Sequence, residues 1–373
     1  MKNKNRFIND YTVPVIFAII CAIGIWYSGF SMGFISEQVL IRFIRNAFLV
    51  LALLIPIMSG LGINFAMTLG AMAGQIGLIV VENFGISGLG GVLLAILISL
   101  PIAYLLGFFA GGVLNRAKGR EMITSMILGF FITGIYQIVV LYIFGGIIPF
   151  SNKKILLSRG YGVRNSIQLS TKGGLDLFFD RVFGVSLNIG EVQIPVLTII
   201  FIILGCLFIT WFRKTKLGQD MRAVGQDMKV ANDAGINVNK TRTKAIIIST
   251  LMASIGQIIY LQNLGTLNTY NGSDQAAVYA SAALLIGGAS VSKASVKNAL
   301  IGTALFHLMF IVMPTAGTNI TGNAMIGEYL RTFISYAVVT FTLIIHSARR
   351  TNKEIEEMEE IQLKQKKSEA NNG

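Results

Sequence analysis

No acidic residue falls near the centre of any long apolar stretch in this chain. It holds 18 Asp and Glu, and Glu82, Glu121, Glu191, Asp274 and Glu328 sit at the ends of apolar runs or in loops. Proton and sodium relays inside a bilayer normally need intramembrane carboxylates, so the shortage weighs against an ion-coupled secondary transporter. Cysteine is nearly missing: Cys21 and Cys206 both lie in apolar runs and offer neither a disulfide framework nor a zinc site. Also lacking are the phosphate loop G-x-x-x-x-G-K-[ST], the His/Cys/Glu spacings of zinc sites and any Gly-x-Ser-x-Gly nucleophile turn. No enzymatic activity, cofactor or metal is expected. Energy for uphill transport would have to enter from another subunit.

What is present sets the class. Hydrophobic residues make up 53% of the chain and charged residues 13%, so the expected fold is an all-α polytopic membrane protein in contact with lipid. The net charge of +13 does not imply nucleic acid, because the basic residues flank apolar runs, as topology determinants do. The 40 glycines suit helices that cross closely in lipid.

A window of about 20 residues per span marks about ten transmembrane helices. Their limits lie near 11–29, 46–62, 63–82, 88–113, 121–146, 193–212, 243–262, 275–290, 297–314 and 327–347. The first follows Lys2, Lys4 and Arg6 and is long for a signal sequence, so it is read as a retained span. With the N-terminus in the cytoplasm, only Arg42, Arg45, Lys153, Lys154, Arg159, Arg164, Lys172, Arg181 and Arg331 fall outside. The rest of the 31 basic residues fall inside, as do both chain ends. The chain then divides into an N-terminal helix and connection (1–45), a transmembrane core (46–347) and a charged cytoplasmic tail (348–373). Within the core, 148–192 is an external loop and 213–243 a cytoplasmic one.

Two groups of spans, 46–146 and 243–347, are similar in size, and each opens with a polar interruption containing glycine, Ser59–Asn64 and Asn268–Asp274. The pattern suggests an internal duplication. The first interruption is either the turn of a helical hairpin or a break in a re-entrant segment. Irregular backbone at that depth survives only inside protein or beside a wet cavity.

The cytoplasmic loop carries a short amphipathic element. Met221, Val224, Met228 and Ala231 recur at helical spacing, while Arg222, Asp227, Lys229 and Asp233 lie off that stripe. Gly225 divides it, Asp227 is placed to cap a second helix, and Gly235 follows that helix's end with Ile236 free to fold back. Such a stripe wants a partner, either a groove on another subunit or the membrane face.

The run Gly218-x-x-Met221-Arg222-Ala223-Val224-Gly225-x-Asp227, with Ala231 and Gly235-Ile236 after it, resembles the coupling segment of bacterial ATP-binding-cassette importer permeases. The likeness is to the ribose, nucleoside and branched-chain amino acid type. It extends to the stretches Glu121 to Leu128 and Leu285 to Val291, and so over most of the chain after residue 46. In three places the chain departs from the family: Asp227 replaces the usual Asn, Gly129 another Asn, and Lys293-Ala294 a Gly-Gly pair. The resemblance implies a plasma-membrane permease with cytoplasmic ATPase subunits, an extracytoplasmic solute-binding protein and a second permease copy or related permease. It implies that Gly218, Met221, Arg222, Ala223, Val224, Gly225, Asp227, Met228, Ala231 and Gly235 couple the ATPase to the spans. On this reading Met221, Val224 and Met228 dock in the ATPase groove, with Arg222 and Lys229 at its rim.

For the pathway, Asn64, Gln75, Gln137 and Gln257 are neutral amides within apolar runs, which bond helix to helix or face a cavity. Amides without buried charge suit a sugar or nucleoside, leaving branched-chain amino acids as the alternative cargo. His307 is the one ionisable group well inside a span, read as a neutral imidazole bonded to a neighbouring helix rather than as a proton carrier. The 148–191 loop is long enough to carry order of its own, as a docking surface for the binding protein or a cap. The tail after Ala348, with Glu356, Glu360 and Lys364 at helical spacing, reads as a solvated extension.

Overall fold

A computed structural model describes residues 2–169, 186–189, 192–334, 336–337 and 340. The expected tail 348–373, His346, Lys172, Arg181 and Glu191 lie outside the described residues. Twelve helices are named in chain order. These are α1 (Lys2–Ser28), α2 (Met32–Ala52), α3 (Leu54–Met58), α4 (Met67–Phe84), α5 (Gly88–Arg116) and α6 (Glu121–Ile138), which a π-helical turn extends to Ile143. Next come α7 (Val196–Phe212), α8 (Lys216–Gln226), α9 (Met228–Asp233), α10 (Val238–Leu264), α11 (Asp274–Ile286) and α12 (Val296–Thr321). Residues 324–334 are helical as well.

The expected count of about ten spans is not reached among the described residues. Among the described residues, six helices are long and apolar enough to cross a membrane: Met32–Met58, Met67–Phe84, Gly90–Arg116, Glu121–Ile143, Val238–Leu264 and Val296–Thr321. A seventh joins them if the pair Thr198–Phe212 and Lys216–Gln226, bent by 73°, is one span. The stretches 11–29 and 275–290 contain only the shorter apolar helices Val13–Ser28 and Asp274–Ile286. At a rise of about 1.5 Å per residue, the latter covers only about 20 Å. Within the segment 327–347, residues 335, 338–339 and 341–347 lie outside the described residues.

The second span begins at Met32, not near 46, so the boundary at 45/46 falls inside α2. Ser31 caps this helix by accepting from the Phe34 amide, and the helix then absorbs Glu37, Arg42 and Arg45. Those charges had read as an exposed connection. Arg45 instead lies over the Tyr260 ring of α10, its guanidinium carbon 5.8 Å from the centroid.

At the centre α10 packs against α4 and α5. The approach is close because small residues line the seam: a Cβ on Gly70 would lie 2.3 Å from the Thr250 carbonyl oxygen, and one on Gly74 2.6 Å from that of Ser254. Between α3 and α4 the chain turns through irregular backbone at 59–66, in which Leu61, Ile63 and Asn64 are buried. The segment is therefore a turn enclosed by protein.

Two short antiparallel sheets complete the fold. β1 (Ser166–Gln168) pairs with β4 (Thr266–Asn268), and β2 (Ser186–Ile189) with β3 (Val192–Pro195). The first fastens the 144–169 loop to the end of α10 farthest from α9.

Candidate functional site

At one end of the bundle the amphipathic element forms as its caps dictate. The Thr215 hydroxyl accepts from the Gly218 amide and starts α8, at 3.2 Å. Asp227 ends α8 and starts α9, its carboxylate accepting from the amides of Lys229 at 2.7 Å and Val230 at 3.0 Å. Gly235, with φ of +83°, closes α9: its amide donates to the Asn232 carbonyl and that of Ile236 to Ala231. Ile236 packs with Val224, Ala231 and Val238.

The stripe does find a partner, but within this chain. Met221 and Val224, two of the three residues expected to dock in another subunit, are 0% and 1% exposed and packed within this chain, as is Ala231 at 2%. Met221 belongs to the main core, and Met228 is partly buried against the Val224 cluster. What α8 and α9 leave outward includes Lys216, Gln219, Arg222, Gln226, Asp227, Lys229, Val230, Asn232 and Asp233.

The seat of α8 is backbone on backbone. A Cβ on Gly225 would lie 2.3 Å from the Met58 carbonyl oxygen, and one on Gly60, where φ is +75°, 2.9 Å from the Gly225 Cα. The element thus rests on the irregular turn between α3 and α4. Beside it opens a cavity of about 350 Å³, lined among others by Met58, Arg213, Arg222, Gly225, Lys293 and Ala294. The turn where this chain departs from the family's Gly-Gly therefore shares a wall with α8.

Sequence reading missed one feature here. Arg242, on the first turns of α10 and 1% exposed, pairs through Nη2 with the carboxylate of Glu121, the first residue of α6. Its Nη1 lies 3.3 Å from the Met228 sulfur. One guanidinium thus joins α9, α10 and α6. In the sequence Arg242 is one of many basic residues in the loop, and only the lone acid opening an apolar run at Glu121 hinted at a partner.

At the opposite end, three of the four pathway amides meet on one segment. Gln75 donates to the Asn268 carbonyl at 3.2 Å, Gln257 to that of Gly272 at 3.2 Å, and Gln137 to the Asn271 side-chain oxygen at 3.2 Å. The same segment is fastened from outside: Thr269 donates its amide to Asn165 and the Tyr270 hydroxyl donates to Val163, each at 2.7 Å. Asn64 stands apart, in the 59–66 turn, where its side-chain oxygen accepts from the Ala66 amide at 3.1 Å. Ser125 of α6 accepts from the neighbouring Phe65 amide at 3.1 Å.

Beneath the 266–274 segment lies a cavity of about 370 Å³ whose lining includes Asn46, Gln257, Tyr260, Asn271, Gln275, Tyr279 and His307. The expected bond from the His307 imidazole to a neighbouring helix is not made by Nδ1, which is buried without a partner, as is the Gln257 side-chain oxygen. A wider, mainly apolar cleft of about 690 Å³ runs along α6 and α11, and Asn271 and Gln275 line both. In that cleft Asp274 accepts from the Thr133 hydroxyl at 3.3 Å. No group of three or more His, Cys, Asp or Glu suited to a metal ion occurs among the described residues.

Residues 35–345 match the family described as branched-chain amino acid transport system / permease component. Among similar proteins is the autoinducer 2 import system permease protein LsrD of Escherichia coli O157:H7. It is 26% identical over 259 residues, covering 69% of this chain and 67% of that protein. The proteins of the same name from Escherichia coli K12 and Shigella flexneri match with the same identity and coverage. No solved structure matches. The family match takes in α8, α9, the buried ion pair and both clefts, and such proteins are membrane subunits of ATP-binding-cassette transporters, not enzymes. The chain belongs to the branched-chain amino acid transport system permease family.

Proposed function

We propose that this permease carries a simple sugar or nucleoside inward, handed over by a solute-binding protein and driven by a cytoplasmic ATPase that grips the exposed face of α8 and α9. The reading rests chiefly on the seat of α8: a rigid, capped element set by backbone contact on the turn at Gly60, with its charged face outward. Force applied to Arg222 and its neighbours passes to α3 and α4 through that seat, and to α6 and α10 through Arg242. The coupling surface is thereby reassigned from the apolar stripe to Gln219, Arg222, Gln226 and Lys229, while Met221, Val224 and Ala231 hold the element in place.

With α8 in the cytoplasm, the 144–169 loop faces outward, and the chain divides into core, external loop, coupling loop and tail as described above. A second permease copy or a related permease would complete the pathway. The cavity under the 266–274 segment is lined by amides and tyrosines, with no Asp, Glu, Lys or Arg. That lining supports an uncharged polar cargo over a zwitterionic amino acid, whose two charges would each need a partner. The loop at 144–169, tied to that segment, is the surface offered to the binding protein.

Co-purification tests the reading. Arg222→Glu, exposed and free of packing duties, is expected to lose the ATPase and ATP-driven uptake at normal protein level. Full ATPase retention and uptake in that variant would overturn the docking face. Uptake by the purified chain alone, collapsed by an ionophore, would overturn the whole proposal in favour of a secondary carrier.

A further inference from the structure

We infer that the cavity enclosed by α2, α10, α11 and α12, inside a single protomer, is a binding site for an uncharged ring compound with several hydroxyl or amide groups. The inference builds on the sugar or nucleoside reading and adds where, and by which atoms, the cargo is held. At about 370 Å³ the space lies within the range of small-molecule sites, about 300–1,000 Å³. Its floor carries two polar side chains, Gln257 and His307, which are 1% and 6% exposed. The Gln257 Oε1 and His307 Nδ1 atoms are buried without a hydrogen-bond partner. Buried polar atoms are normally paired, so a solute's hydroxyl or N–H groups would complete them.

The Gln257 Nε2 is already committed to the Gly272 carbonyl, which fixes the amide and leaves Oε1 as an acceptor. Gln275 and Asn271 stand at the exposed rim, so the same chemistry extends to the mouth. Tyr260 and Tyr279 add ring surface; Tyr279 is held in place by Phe306 and Phe310, at centroid distances of 5.8 and 5.2 Å. A flat solute with an apolar face and a polar edge matches that combination of rings and amides. Charge narrows the class further. The lining has no Asp, Glu, Lys or Arg to pair an ammonium or a carboxylate, and Arg45, over the Tyr260 ring, sets a positive charge nearby that disfavours cations.

The test is made on the full transporter in lipid nanodiscs and, in parallel, in proteoliposomes. Tritiated uridine and tritiated D-ribose are the probes, with L-leucine as competitor. One of the two probes is expected to bind the permease saturably, about tenfold more weakly in Gln257→Leu, where an acceptor to the solute is lost. Ala276→Phe is the second variant: Ala276 lines the cavity from α11, so the new ring fills the space and leaves the Gln257–Gly272 bond in place. It should abolish binding. Binding of uridine alone would show that the amides read a heterocycle, and binding of ribose that they read hydroxyls. Absence of binding by both probes, unchanged binding in both variants, or displacement by leucine would overturn the site. ATP-driven uptake without such binding would sink the cavity and leave the importer reading standing; binding without ATP-driven uptake would do the reverse.

Discussion

The two ends of the bundle are built differently. Around Gly60 and Gly225 the contacts are main chain against main chain, reinforced by a buried ion pair. Around Asn268–Asp274 the segment is held from the outside by its strand pairing and the Tyr270 hydroxyl and from the inside by hydrogen bonds from long amides, above a cavity with unpaired polar atoms. A packed glycine contact has one geometry, whereas an amide swings on rotatable bonds and can exchange partners. On the proposed function, the first end is suited to pass displacement on, and the second to rearrange around a solute.

If that contrast is right, damage at the α8 end should cost far more than damage at the other. Arg242→Ala strands the Glu121 carboxylate, and losing one partner of a buried pair costs about 3–5 kcal/mol. Thermal unfolding in detergent is expected to show the largest drop here, with Glu121→Gln milder than Arg242→Ala. Gly225→Ala comes next. Its methyl would press on the Met58 carbonyl, an overpacking of about 1–3 kcal/mol, and uptake should fall more than stability because the seat itself shifts. Asp227→Ala removes the α9 cap for about 1 kcal/mol and should weaken ATPase association without unfolding the chain. Smallest is Gln137→Leu at the far end, where the amide's bonds go to the 266–274 segment and a side-chain hydrogen bond of this kind is worth about 0.6 kcal/mol. A far-end variant as damaging as Arg242→Ala would erase the distinction.

Local chemistry was readable in the sequence and long-range pairing was not. Asp227, Gly235 and Ile236 announced the helix ends because caps act on amides two to five residues away. The stripe at Met221, Val224 and Ala231 was visible as periodicity, yet periodicity says only that a face is buried, not in what; the answer lay in the chain's own core. Arg42 and Arg45 hid the start of α2, because a hydropathy window penalises charge without knowing that, for Arg45, an aromatic ring on α10 will cover it. The amides were recognised as polar groups in apolar surroundings. The convergence of Gln75, Gln137 and Gln257 on nine residues following α10 depends on tertiary geometry that one sequence does not display.

The pairing of β1 with β4, together with the Tyr270 bond to Val163, has a consequence for timing. The loop that precedes β1 and the ceiling of the cavity are one fabric, so a protein that grasps the loop also handles the peptide groups to which Gln75, Gln137 and Gln257 are tethered. On the proposed reading, arrival of the courier and loosening of the lid would become a single event, and an empty courier that sits differently on the loop would leave the door shut.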